Sequence, residues 1–181
     1  MQFKDGEEPF EIPGNWRWAY FGDISTYGNS LSKISPEKIK PHMWCLDLED
    51  IEKGTGTVIK KVYAKDRKID GDKTIFSSGQ VLYSKLRPYL LKILIADEDG
   101  ICTPELVPFS VFTGINPIFL CHMLKSAYVD NLVNSKTFGM KMPRVRTETM
   151  CGLILPIPPL EEQNRIVAKL EEILPFISDL S

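Results

Sequence analysis

The side chains here best suited to hold a metal ion or attack a carbonyl are Cys45, Cys102, Cys121, Cys151, His42 and His122. Thiolate and imidazole are the common zinc ligands, and a cysteine beside a histidine can become an activated nucleophile. The spacing supports neither use. No two cysteines form a Cys-x-x-Cys pair, and neither histidine has a partner at ligand distance along the chain. Four cysteines in 181 residues do not make a disulfide framework either, so reduced and mostly buried thiols are expected. The turn Glu52-Lys53-Gly54-Thr55-Gly56-Thr57 looks like part of a phosphate loop but lacks the Gly-Lys-Ser/Thr ending. An enzyme whose site is assembled only by folding stays open as the last-ranked reading.

Charge is more informative. The net charge of -2 argues against a generally cationic nucleic-acid binder, yet it conceals an asymmetry. Residues 33–92 hold 13 Lys/Arg against 8 Asp/Glu, while the remainder is acidic. Within that remainder, 136–146 carries Lys136, Lys141, Arg144 and Arg146 and no acid. A single lysine is usually a solvated surface charge. Two clusters of cations are a footprint for an anionic partner.

The elements that must position these charges are short. Residues 1–11 read as a loose polar lead-in. Trp16, Trp18 and Tyr20 alternate, with Phe21 beside them, and predict a strand that staples the N-terminus to the core rather than a stacking platform for bases. A loop is expected over 28–43, and strands over 44–51, 57–64, 80–86, 89–96, 105–112 and 153–158. Lys60 and Lys61 sit at the centre of the second of these strands, and Asp97-Glu98-Asp99-Gly100 reads as a hairpin connection. Asn116 and Pro117 start a helix whose apolar spacing runs to about Val133. Residues 134–146 lack periodicity and read as an ordered loop, after which Thr147 caps a short helical turn that Gly152 ends.

The chain closes on Leu155-Pro156-Ile157-Pro158-Pro159-Leu160-Glu161-Glu162-Gln163 and a charged helix. Ile166, Leu170, Ile173, Ile177 and Leu180 recur at spacings of 4, 3, 4 and 3, which is a coiled-coil seam, and Val167 and Leu174 widen it. If wholly helical, 160–181 would span ~33 Å. Pro175 lies inside the pattern and should kink or interrupt it. An amphipathic helix folded back on its own domain fits the same spacing. The fold class is therefore α+β: a mixed domain with a small β-sheet and few helices, then a C-terminal coiled-coil-type helix. No apolar run approaches the ~20 residues that span a bilayer, and the N-terminus has no signal-peptide core. A soluble, cytoplasmic chain is expected.

Pro158, Pro159, Leu160, Glu162, Gln163 and Ile166 match in order the Pro-Pro-Leu-x-Glu-Gln-x-x-Ile junction of the specificity subunits of type I restriction-modification systems. Residues 12–24 resemble that family's opening Pro-x-Gly-Trp and apolar-Gly-Asp pattern, with Asn15 inserted before Trp16. Residues 78–106 resemble its central strand pair. The resemblance implies a target-recognition domain over 1–158 and the start of a spacer helix over 159–181. Such subunits usually carry two of each, so this chain resembles a half subunit.

The resemblance further implies sequence-specific binding to one half of a bipartite site on double-stranded DNA, with no chemistry in this chain. No Asn/Asp-Pro-Pro-Tyr/Phe methyltransferase motif and no paired-carboxylate nuclease pattern is present in the sequence. Methylation and cleavage would belong to methyltransferase and restriction subunits, which would bring S-adenosylmethionine, ATP and Mg. The terminal helix would pair with that of a second half subunit, or of a second copy in a homodimer. Charge and loop placement then put phosphate contacts on Lys60, Lys61, Lys65, Arg67, Lys85 and Lys92. Arg87, Lys141, Arg144 and Arg146 are candidates to read bases, with Thr137 adding a polar contact. The competing expectation is a protein-interaction adaptor that assembles through its helix and does not bind DNA.

Overall fold

The computed structural model describes residues 8–178. The chain enters through β1 (Arg17–Tyr20) and a single helical turn, α1 (Phe21–Ile24). Next come β2 (Lys33–Ile34), β3 (Trp44–Leu46), β4 (Lys73–Phe76), β5 (Val81–Ser84), β6 (Ile93–Ile95), β7 (Gly100–Cys102) and β8 (Leu106–Phe109). Helices α2 (Pro117–Lys125), α3 (Ala127–Asn134) and α4 (Thr147–Cys151) precede β9 (Ile154–Ile157) and the terminal α5 (Leu160–Ser178). The strands form three sheets: β1 with β9, β2-β4-β7-β3, and β6-β5-β8. This is the expected α+β class, with several small sheets in place of one.

The three-stranded sheet is buried on both faces, because side chains alternate along a strand and both alternating sets here are apolar. Val81, Tyr83, Ile93, Val107 and Phe109 enter one core with Phe21, Leu120, Leu124, Val129 and Met150. Leu82, Leu94 and Leu106 enter a second core with Trp44, Leu46, Phe76 and Cys102 of the four-stranded sheet. Pro108 is tolerated inside β8 because β8 is an edge strand, bonded only to β5.

Several local expectations change in the fold. Residues 57–64 form no strand; single bridges at Val58↔Ile51 and Tyr63↔Trp44 hold an irregular segment. The 44–51 strand is cut short at Leu46, and Leu48–Asp50 turns as a 3-10 helix closed by a capping box from Asp47. Residues 97–100 do not join a hairpin, since β6 pairs with β5 and β7 pairs with β3 and β4. The helix predicted over 116–133 is two helices. Asn116 caps the first through its side chain, accepting from Ile118 and Phe119 N–H at 2.8 and 3.2 Å. Ser126 ends that helix and caps the next by accepting from Val129 N–H at 3.4 Å. Its hydroxyl offers the backbone an alternative to the helical bond. Arg146, not Thr147, occupies the cap position of α4. The lead-in, over its described part, is pinned by Phe10, which meets Trp18 and Tyr128 edge-on at 4.9 and 5.3 Å.

The glycine of the discarded phosphate loop has a structural task. Gly56 adopts φ +76°, and a Cβ there would lie 1.9 Å from the Ile93 carbonyl oxygen. Only glycine lets the 52–57 turn close on β6.

The start of α5 is locked to the domain by Gln163, which is fully buried. Its side-chain oxygen accepts from Asn116 N–H at 2.8 Å, and its amide donates to the Gly114 and Pro158 carbonyls at 3.0 and 2.9 Å. Val167 is buried beside it. Ile166 and Leu170 line a groove of about 1010 Å³ against Phe119, His122 and Met123. Further on, Ile173, Leu174 and Phe176 are exposed. The base of the helix thus folds back on its domain, Leu174 borders the same groove, and Phe176 beyond it is largely exposed. The helix continues through Pro175 to Ser178. Of the seam, the Ile177 side chain and Leu180 lie outside the described residues.

Candidate nucleic-acid interface

Two loops carry most of the expected DNA-facing residues. The first joins β5 to β6. Arg87 and Leu91 take left-handed conformations, φ 48° and 50°, around the turn Pro88–Leu90. Each costs ~1–3 kcal/mol for a residue with a Cβ, so the surroundings must enforce it. They do so through backbone bonds: Arg87 N–H to the Pro143 carbonyl at 2.7 Å, Leu90 N–H to Arg87 at 2.9 Å, and Gly54 N–H to Leu90 at 2.8 Å. Tyr89 is left half exposed at the tip.

The second loop leaves α3 and runs to α4. Phe138 and Arg144 exchange backbone hydrogen bonds at 3.0 and 2.9 Å, and Gly139 turns the chain between them at φ +92°. Met140, Lys141 and Met142 form its exposed tip. Val145 N–H donates to the Lys85 carbonyl at 3.1 Å, and Leu86 bridges to Arg144. The two loops are therefore laced into one ledge although about 50 residues separate them in sequence.

This ledge gathers six of the eleven residues expected to face DNA. Arg87, Lys141 and Arg146 are exposed, and Lys85 is half buried. The Arg146 guanidinium lies over the Phe138 ring at 5.1 Å. Arg144 is gripped by Glu105, whose carboxylate accepts from Nη2 at 2.9 Å and from Nε at 3.2 Å. Those hydrogen bonds hold the Arg144 guanidinium above its ordinary pKa. Thr137 belongs to the loop but donates its hydroxyl to the Asn134 carbonyl at 3.1 Å, closing α3.

Of the other five cations, four lie outside the two loops, and Lys92 closes the first of them with its carbonyl accepting from Ser84 N–H at 3.2 Å. Lys60 and Lys65 are exposed on the irregular 57–67 segment. Lys61 pairs with Asp97 at 2.9 Å and Glu98 at 3.4 Å and lies over the Trp44 ring at 4.7 Å. Its hydrogen bond to Asp97 is the main reason its pKa is raised. Arg67 is only 10% exposed and binds Asp47 at 2.6 Å and Asp50 at 2.7 Å. Lys92 donates to the Leu48 carbonyl at 2.6 Å. The charges of Lys61, Arg67 and Lys92 are thus engaged by the protein itself.

Sequence reasoning missed Glu105, Tyr89, Phe138, Met140 and Met142. Alternating apolar letters within a basic loop were the only available signal for the methionines. Glu105 had none, since its partner lies 39 positions away. The thiols are poorly placed for nucleophilic chemistry: burial pushes Cys45, Cys102, Cys121 and Cys151 above the ordinary range, away from the thiolate. Burial also lowers the His122 pKa, with the Lys125 charge adding to the effect. Among the described residues no group of three or more His, Cys, Asp or Glu could hold a metal ion, and no helix is long and apolar enough to cross a membrane.

Residues 47–178 match the model of the type I restriction modification DNA specificity domain. The chain is 30% identical over 176 residues to the specificity subunit of the type I restriction enzyme EcoDI of Escherichia coli, covering 97% of this chain and 38% of that protein. The HsdS subunit from Thermoanaerobacter tengcongensis superposes with a TM-score of 0.78 at 26% identity, covering 96% of this chain and 46% of that one. A chain from a structural study of complex assembly and conformational transition in the type I R-M system superposes with a TM-score of 0.77 at 25% identity, covering 95% and 45%. The chain spans less than half the length of each of these relatives.

Proposed function

The chain belongs to the type I restriction-modification DNA specificity family, and from that membership we propose that it reads one half of a bipartite site on double-stranded DNA. The observation that carries the reading is the ledge. Two loops, cross-bonded through their backbones, present Arg87, Lys141, Arg144 and Arg146 together with half-exposed Tyr89 and Phe138. Cations at such an edge neutralise phosphates, and arginines pair bidentately with guanine. Lys60 and Lys65 extend the phosphate-binding surface. Lys61, Arg67 and Lys92 keep the supporting segments in place.

Residues 1–158 act as the target-recognition domain and 159–181 as the start of a spacer. The exposed Ile173, Leu174 and Phe176 supply an apolar face for a second helix, from another half or another copy. Methyltransferase and restriction subunits in the cytoplasm perform the chemistry, with S-adenosylmethionine, ATP and Mg as their cofactors. This chain contributes recognition alone. A single copy should bind weakly, and pairing should raise affinity through effective concentration.

Titrating salt in a duplex-binding assay on the paired protein tests the reading. About five phosphate contacts give a slope of log K against log salt near -4 to -5, at ~0.9 per contact. An affinity indifferent to salt would favour a protein-interaction adaptor.

A further inference from the structure

A guanidinium has two edges that can form paired hydrogen bonds. In Arg144 the Nε/Nη2 edge is filled: Nε donates to both Glu105 oxygens at 3.2 Å and Nη2 donates to Oε1 at 2.9 Å. The Nη1/Nη2 edge is left with one long contact, from Nη1 to the Met142 carbonyl at 3.4 Å. The backbone beneath is fixed twice, by the exchange with Phe138 and by the bridge to Leu86. The side chain keeps 35% of its surface open. The neighbouring cations are held differently. Arg87 makes one contact at 3.4 Å, Arg146 rests on a ring, and Lys141 can offer only a point charge.

We infer that Arg144 is a specificity-determining residue that reads one guanine through its Nη1/Nη2 edge, and that Glu105 is a positioning residue that holds the guanidinium plane for it. Two parallel donors on a planar fork match guanine O6 and N7. Fixing the fork before DNA arrives removes the cost of immobilising a long, rotamer-rich side chain on binding. Stability alone is a poor reason for the clamp, since a partly exposed ion pair adds little to it. Glu105 also places a negative charge in a surface meant for phosphates. That is unfavourable for generic attraction and useful only if orientation matters. The inference rests on the DNA-reading function proposed above.

The test is selection from a duplex library randomised across the half-site, using the whole specificity subunit that carries this chain with its methyltransferase partner. Wild type, R144A, R144K, E105A and E105Q are compared, with melting curves to confirm folding. The expected result is loss of guanine preference at one base pair in R144A, by about 5- to 150-fold, with the other positions unchanged. R144K should fail to restore it, because ammonium has no fork. E105A and E105Q should weaken preference at that same position and no other. Uniform loss across all sequences in R144A would make Arg144 a phosphate contact and overturn the assignment, as would an unchanged profile. If R144A does not fold, the E105Q profile decides alone: a change confined to one guanine supports the assignment and no change overturns it. A wild-type subunit that selects no sequence overturns the recognition function itself and this assignment with it.

Discussion

Replacing Arg67 with alanine is expected to destabilise the domain by about 3 kcal/mol or more, the cost of leaving a buried charge without its partner. Arg67 is 10% exposed and Asp50 only 6%, so water cannot substitute for the lost guanidinium. Both Asp50 oxygens accept from Arg67 Nη2 at 2.7 Å, and Asp47 accepts from Nη1 at 2.6 Å. Asp47 keeps a second cation, since Lys73 lies 3.1 Å away and is buried. Asp50 keeps only a hydrogen bond from Asp47 N–H at 2.8 Å. The penalty therefore falls mainly on Asp50. In a chain of this size such a loss lowers the melting temperature by roughly 10 °C. Adding D50L to an R67M variant should recover much of it, because removing both charges also removes the need to solvate either. An R67A melting curve that overlays wild type would show the network to be incidental.

The second large effect is on DNA. Replacing Lys141, Arg144 and Arg146 together by alanine is expected to cost at least 100-fold in affinity for the target site and to flatten the salt slope by about 2, the share of Lys141 and Arg146. Lys141 and Arg146 are exposed, and Arg144 gives up only a partly exposed ion pair, so the fold should melt within a few degrees of wild type. Loss of affinity without loss of stability distinguishes a binding surface from a supporting one. The contrast with Arg67 makes the pair informative, because one arginine is expected to act through the fold and the others through the ligand. Unchanged affinity in the triple variant would remove the 136–146 loop from the interface.

That contrast also marks the limit of what the sequence could reveal. A lysine that faces solvent and one that pins a loop have the same letter. Lys92 meets the Leu48 carbonyl from 44 positions away, and Arg67 meets Asp50 from 17. Local chemistry was legible where its partners were local. Asn116 and Pro117 start α2 as expected, because a cap and its first turn lie within four residues. The break at Ser126 was hidden by apolar spacing that continues across it. The turn after β6 was recognised, but its acidic residues and glycine cannot say that the next strand joins another sheet. At the helix junction, Gln163 was visible as a motif letter only. Its three hydrogen bonds show why an amide is needed there: it satisfies the start of α2 and the carbonyls of two loops. The left-handed Arg87 left no trace in the letters, since its conformation is imposed by backbone bonds that it donates to the Pro143 carbonyl and accepts from Leu90 N–H.

Mapping methylated sites in cells tests most directly whether this chain determines sequence choice. The subunit carrying it is expressed with the methyltransferase subunit proposed as its partner, and residues 28–146 are exchanged for those of another recognition domain. A bipartite methylation motif whose one half changes with the exchange is the expected result, and a symmetric motif would mean that two copies pair. A motif indifferent to the exchange would contradict it, leaving the ledge without a role in recognition.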